Sequence, residues 1–275
     1  MTENIGRAFV GTSGWKKPQW RGDFYPKGLV QRRELEYASR QLTSLEINAT
    51  FHGLQKPSTF VSWREQTPDD FVFAVKGYEV VTRTAFFPTA RIHLADFFAS
   101  GVVELREKLG PLLWQLPEQS KFRAEGVERF LSLLPQSTDD AATLAAQSDT
   151  VDGDLGYLPN RRLRHAIEVR DSSYRNTEFV DMLRAHDIAV VFTNGPGAPE
   201  FRELTSDFAY LRLSSGEDHY AGGYGDDALS EWATRITAWI DGPPPRDVFA
   251  YFKNPAGVLT HTPHNATRLI TRLEG

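Results

Sequence analysis

Along the whole chain, short runs rich in β-branched, aromatic and leucine residues alternate with segments of helical periodicity. The strand-like runs are Ala8–Thr12, Ser44–Thr50, Phe71–Tyr78, Pro111–Leu116, His165–Arg170, Ile188–Thr193, Phe208–Ser214 and Asp247–Asn254, eight in all. Between them, Leu229, Trp232, Ala233, Ile236 and Ile240 fall on one stripe of a helix. Val127, Phe130, Leu131 and Leu134 repeat that spacing, as do Ala266, Leu269, Ile270 and Leu273. Pro57-Ser58-Thr59 opens a further helix, proline being tolerated in a first turn. The sixth connection, Asn194–Asp207, holds Pro196 and Pro199 and has room only for a short helix or a 3₁₀ turn. Strand followed by helix, repeated in this way, predicts an α/β protein with parallel strands and right-handed crossovers, closed as a single (β/α)8 TIM-like barrel. An open doubly wound sheet is the competing arrangement. No second domain suggests itself within residues 1–275. Residues 136–164, rich in Ser, Asp and Ala, read as an elaborated loop on the face away from the site.

In a barrel of this kind chemistry sits at the C-terminal ends of the strands. Inward side chains there are partly desolvated, so each charge must be paired or used. Glu46 and Asn48 lie two apart in Leu45-Glu46-Ile47-Asn48 and share a face, as do Glu168 and Arg170 in Ile167-Glu168-Val169-Arg170. Lys76, Gln115, Arg212 and Asn254 each close a strand-like run. Such a set fits proton transfer by a carboxylate, charge stabilisation by Lys or Arg, and orientation by amides. Set against this is the plainer reading that Glu46 and Glu168 pair internally with Arg170 and Arg212 and only close the barrel. The loop after the first run, Gly11-Thr12-Ser13-Gly14-Trp15 followed by Trp20 and Phe24-Tyr25-Pro26, either walls a pocket or packs on its own aromatics. The glycine-rich segment Ser214–Asp227 has the composition of a phosphate-binding loop, a lid or a plain connection.

Composition narrows the field. An apolar share of 40% and an aromatic share of 12% suffice for one large core. With no cysteine, disulfides, thiolate metal sites and cysteine nucleophiles are excluded. No run of 18 apolar residues offers a membrane span, and no signal peptide precedes the first strand, so the cytoplasm is the expected location. A net charge of −5 argues against a broad nucleic-acid binder. A local basic cluster, Lys16, Lys17, Arg21, Lys27, Arg32 and Arg33, leaves a local contact open. The phosphate loop GxxxxGK[ST], the dinucleotide GxGxxG, the GxSxG elbow and the HExxH zinc motif are all missing. Of the seven histidines only His261 and His264 are close together, and Pro263 between them breaks helical spacing. No cofactor is predicted, and a weakly held Mg²⁺ or Mn²⁺ on Glu46 and Glu168 stays open.

The same residues carry a family resemblance through nearly the whole chain. GTSGW at Gly11–Trp15, FYP at Phe24–Pro26, LEINATF at Leu45–Phe51, FVFAVK at Phe71–Lys76 and LLWQLP at Leu112–Pro117 resemble the YecE-like proteins, the domain of unknown function 72 family. IEVR at Ile167–Arg170, YLRL at Tyr210–Leu213, YFKN at Tyr251–Asn254 and HNA at His264–Ala266 extend the match. The resemblance implies a TIM-barrel-like fold and no settled activity. It also implies histidines where this chain has Arg83, Asp171 and Ser214, and a tyrosine where it has His52.

Taken together, the residues point to an enzyme, hydrolase being the least specific class, acting on a small phosphate- or carboxylate-bearing substrate such as a nucleotide or nucleic-acid end. Arg170, Arg212 and Lys76 would hold the anion, with Glu168 or Glu46 as acid or base. Asn48, Gln115, Asn254 and Thr12 would orient the substrate, with Trp15 in the pocket wall. Two other readings are carried forward. One is a glycoside hydrolase using Glu46 and Glu168. The other is a non-catalytic nucleic-acid or metabolite-binding module built on Lys16, Lys17 and Arg21 beside Trp15 and Trp20. Oligomeric state is not encoded in any feature of the chain.

Overall fold

Eight strands, β1 (Ala8–Ser13), β2 (Ser44–Ile47), β3 (Val72–Lys76), β4 (Leu109–Gln115), β5 (His165–Glu168), β6 (Ala189–Thr193), β7 (Phe208–Ser214) and β8 (Asp247–Lys253), pair in parallel in chain order. β8 pairs back to β1 from Ala8↔Val248 to Thr12↔Phe252, so the sheet closes and the open-sheet alternative falls away. The structure is a computed structural model, and it describes residues 6–149, 159–194, 198–214, 223–253 and 261–275. Strands buried on both faces explain why the runs are almost continuously apolar rather than alternating.

Around the barrel lie α1 (Glu34–Ala38), α2 (Ala49–His52), α3 (Pro57–Glu65), α4 (Glu79–Arg83), α5 (Ala90–Ala99), α6 (Ala124–Leu133), α7 (Thr138–Ala145), α8 (Thr177–Ala185), α9 (Asp226–Ile240) and α10 (His261–Glu274). The predicted stripes face inward: Val127, Phe130 and Leu131 of α6, Leu229, Ala233 and Ile236 of α9, and Ala266 and Leu269 of α10 are buried. Among the described residues the β6–β7 connection contains neither the short helix nor the 3₁₀ turn that its prolines leave room for. None of the described helices is long and apolar enough to cross a membrane.

Two connections differ from the sequence reading. Residues 136–164 include α7, whose N-cap Ser137 Oγ accepts a 3.1 Å hydrogen bond from Asp140 N. Residues 150–158 of that segment lie outside the described residues. Arg162, in the same connection, pairs with Asp187 and Asp207, which precede β6 and β7, so this part of the connection lies at the N-terminal end of the barrel. In α10, Pro263 does not break the helix, because it falls in the first turn where its missing N–H costs nothing.

Inside the barrel, Phe9, Ala74, Leu113, Ala166, Val191, Tyr210 and Tyr251 form one apolar cluster. Fully buried His165 accepts from Trp114 Nε1 at Nδ1 (3.0 Å), leaving Nε2–H to donate to Pro135 O (2.7 Å); burial pushes its pKa down to about 4, so it is a neutral structural group. The strands β1 and β2 approach so closely that a Cβ on Gly11 would lie 1.7 Å from Ser44 O. A Gly11→Ala substitution is therefore expected to cost about 3 kcal/mol or more, since backbone on a closed sheet cannot yield. Urea denaturation at neutral pH checks this, and an unchanged midpoint would show that the two strands can part.

Candidate functional site

Alternation along the strands carries the inward face from the apolar layer to a final polar layer. Continuing Phe9, Ala74, Leu113, Ala166, Val191, Tyr210 and Tyr251 by steps of two gives Lys76, Gln115, Glu168, Thr193, Arg212 and Lys253, with Ser13 on β1 and Glu46 on β2. Every strand thus ends its inward face on a polar or charged side chain at the C-terminal mouth.

Arg212 organises this layer. Its Nη2 donates to Glu46 Oε1 (2.9 Å) and its Nη1 to Glu168 Oε2, with 4% of the residue exposed against 0% and 1% for the two glutamates. Glu46 also accepts from Ser13 Oγ (2.6 Å) and Tyr210 OH (2.8 Å), while Asn48 Nδ2 donates to Ser13 Oγ (2.7 Å). Glu168 Oε2 accepts from Gln115 Nε2 (2.8 Å), which turns Gln115 Oε1 toward Lys76 Nζ (2.9 Å). Lys253 Nζ and Arg170 Nε stand 3.7 and 4.0 Å from Glu168 Oε1. Lys76 Nζ also lies 3.5 Å over the Phe51 ring.

These contacts set the protonation states. Burial alone would raise both carboxyls. Arg212 and Lys253 reverse this at Glu168 and bring it down to about 2, and Arg212, Ser13 and Lys76 leave Glu46 below its usual range. Burial works against the Arg212 charge, but Glu168 and Glu46 overcome it and hold the guanidinium protonated. Burial first and Arg212 second push Lys76 down to about 8. Lys253 is lowered by burial as well. Tyr210 is raised well above the ordinary phenol range by burial and by Glu46, so it stays a donor.

A cavity of about 430 Å³ opens beside this layer. Trp15, Trp20 and Trp63 wall it, and Lys16, Lys17, Arg212 and Lys253 face it with no carboxylate among its described lining. Trp15 meets Trp63 edge to face at 5.4 Å, and Trp20, Phe24 and Tyr25 pack on one another at 5.1–6.0 Å. The aromatic loop therefore both packs on itself and walls a pocket.

Comparison with known proteins agrees with this architecture. Residues 9–275 match the family described as "Protein of unknown function DUF72". The chain belongs to the DUF72 family. UPF0759 protein YecE of Escherichia coli K12 is 30% identical over 112 residues, which are 40% of this chain and 37% of YecE. UPF0759 protein YunF of Bacillus subtilis is 23% identical over 130 residues, 43% of each chain. The aligned stretches thus span less than half of either relative. A DUF72 family crystal structure from Thermotoga maritima superposes with a TM-score of 0.73 over 98% of this chain and 100% of that one, at 22% identity. One from Enterococcus faecalis gives 0.66 at 14% identity, covering 98% of both. At these identities the likeness speaks for the fold.

In this DUF72 protein, Glu46, Lys76, Gln115, Glu168 and Arg212 meet in the mouth as their strand positions predict. Asn48 joins them from just beyond β2, because β2 stops at Ile47 and α2 begins at Ala49. Arg170 lies past the end of β5, exposed at the rim. Thr12 points to the outer face, where its Oγ1 donates to Gly14 O (2.9 Å); β1 runs one residue further than predicted, and Ser13 takes the inward place. Trp15 is in the cavity wall. Asn254 and residues 215–222 of the glycine-rich segment lie outside the described residues. The inward residues missed by sequence reasoning are Ser13, Thr193, Tyr210 and Lys253, each recoverable by continuing the two-residue alternation.

The departures from the family pattern split. His52 lines the cavity and Ser214 closes β7. Arg83 instead pairs with Glu79 (2.9 Å), and Asp171 accepts from Ser173 N (2.9 Å) in a local turn. His264 reaches Asp23 (2.9 Å). Among the described residues no group of three or more His, Asp or Glu gathers as a metal site. Glu46 and Glu168, the pair left open for Mg²⁺ or Mn²⁺, share Arg212.

The pKa of Glu168 gives a signed expectation. A carboxyl lowered in the folded state contributes stability above about pH 4.5, lost as pH falls toward 2. Glu168→Gln is expected to cost roughly 3 kcal/mol at pH 7, with the gap from the parent closing below pH 4.5. Denaturant titrations across that range test it; a gap independent of pH would remove the ion pair as its source.

Proposed function

We propose that this DUF72 protein is an enzyme acting on a small phosphate- or carboxylate-bearing substrate held at the barrel mouth, with Lys76 as the proton-transferring group. The supporting observation is the charge imbalance of the polar layer. Two carboxylates, both already engaged by Arg212, stand among Arg212, Lys76, Lys253 and Arg170, and Lys16 and Lys17 face the adjoining cavity. A desolvated mouth with surplus positive charge is stabilised by an incoming anion. Arg170 and Lys253, which approach Glu168 only at long range, are free to turn toward it.

A proton carrier works best when its pKa lies near the working pH. Glu168 near 2 and a lowered Glu46 are held ionised and are poor acids, which disfavours a glycosidase pair; Lys76 near 8 is suitably poised. The stacking module is weakened because Arg21 is tied to buried Glu34 (2.7 Å) and Trp20 is 1% exposed.

Inorganic phosphate and succinate should raise the melting temperature saturably, relative to chloride at matched ionic strength. Lys253→Met and Arg170→Gln should each weaken the apparent affinity roughly tenfold, in the range of a lost charge-assisted hydrogen bond. Affinity should fall as pH rises through 8, where Lys76 gives up its charge. Identical melting in phosphate, succinate and chloride would remove the anion site.

A further inference from the structure

Three lysines are largely withdrawn from solvent, and their surroundings differ in kind. Lys108 spends all its protons, on Arg64 O (2.7 Å), Thr67 O (2.8 Å) and Thr67 Oγ1 (3.3 Å), and is a structural strut. Lys253 stands beside the Glu168 carboxylate at 3.7 Å. Lys76 has one amide oxygen and an aromatic face, and among the described residues no ion pair. Its acceptor is an amide oxygen by construction, since Gln115 Nε2 is bound to Glu168 and Oε1 is the atom left to face the lysine.

We propose that Lys76 is a nucleophile that forms an imine with the carbonyl carbon of a small anionic carbonyl compound, a 2-oxo carboxylate being the class that fits. This rests on the anion-site reading above. The backbone that presents the amine is fixed: Thr50 Oγ1 donates to Lys76 O (2.6 Å) and Gly77 N to Leu113 O (2.8 Å), so the side chain rises from a rigid strand end. An amine becomes nucleophilic when desolvated or placed near another cation, and Lys76 has both conditions, burial and Arg212. With its pKa near 8, roughly a tenth is neutral at pH 7, about 300-fold more than for an ordinary lysine. The carboxylate of the substrate would be met by Lys253 and Arg170, the cations that Glu168 holds only at a distance.

The step balances without an oxidant or a cofactor. The neutral amine attacks the carbonyl carbon, forming C–N as the π pair moves to oxygen, and a proton passes from nitrogen to oxygen to give the carbinolamine. Protonation of its hydroxyl by solvent and expulsion of water by the nitrogen lone pair give the protonated imine. In sum, amine, carbonyl compound and one proton become iminium and water.

Cyanoborohydride, which delivers hydride to an iminium carbon, makes the adduct permanent. The full chain is incubated with limiting glyoxylate or pyruvate and cyanoborohydride, then mapped by peptide mass spectrometry across its eight lysines. The expected result is labelling at Lys76 at least tenfold faster than at exposed Lys27, slowed by added inorganic phosphate and absent in Lys76→Arg. Propionaldehyde, which lacks the anion, should show no such preference. Labelling spread over exposed lysines, with Lys76 no faster than Lys27, would overturn the imine; the map of the unsubstituted chain decides this even if the variant fails to fold. Phosphate-dependent stabilisation without a Lys76 adduct sinks the imine and leaves the anion site standing. Neither stabilisation nor adduct sinks both.

Discussion

The mouth of this barrel depends on one buried guanidinium shared by two buried carboxylates. Arg212 on β7 reaches Glu46 on β2 and Glu168 on β5, strands that are not neighbours in the sheet, so the contact spans the barrel interior. Desolvating three charges is expensive, and apolar residues of similar volume often serve stability as well or better. Its retention is therefore better understood through what it organises. Tyr210, Ser13 and Asn48 converge on the Glu46 side, and Gln115, Lys253 and Arg170 on the Glu168 side.

From that contact the remaining roles follow in sequence. Because Arg212 takes one oxygen of each glutamate, the other cations meet only what remains, Lys253 and Arg170 at 3.7 and 4.0 Å from Glu168 Oε1. Because Gln115 donates to Glu168, its carbonyl oxygen must face Lys76, and the lysine receives a dipole where a carboxylate would have anchored it as a cation. The cavity then opens on the cation-bearing side, walled by the indoles of Trp15, Trp20 and Trp63.

The barrel was legible in the sequence because each strand is apolar on both faces and helical segments separate most of them, and the predicted runs overlap every strand. The site was legible as far as alternation could be carried. Glu46, Lys76, Gln115, Glu168 and Arg212 sit at interior strand ends, whereas Thr12 was chosen over Ser13 because the end of β1 was placed one residue early. One residue is enough to turn a side chain to the other face. Lys253 was passed over because the eighth run was read to Asn254, one residue past the described end of β8. The helix α7 was hidden by the Ser, Asp and Ala of residues 136–164; its signal was the Ser137–Asp140 capping pair, a shorter cue than an apolar stripe. What alternation could not supply is partnership. Which cation receives the carboxylates depends on neighbours across the barrel, and no spacing along the chain encodes that distance.

That partnership decides which groups can do chemistry. In this partly dry mouth the carboxyls of Glu46 and Glu168 and the amines of Lys76 and Lys253 are all lowered. For Glu168 and Glu46 the shift is away from neutrality, so the residues that look most like an acid–base pair are the ones the field disarms. For Lys76 a shift of the same sign leads toward neutrality, and burial adds to it instead of opposing it. The histidines that usually titrate in this range do not compete in the polar layer: His165 is locked neutral beneath Trp114, His264 is tied to Asp23, and His52 stands exposed at the cavity edge. An anion entering the mouth favours the protonated lysine, while imine formation draws on the neutral fraction, so binding and protonation at this site are coupled.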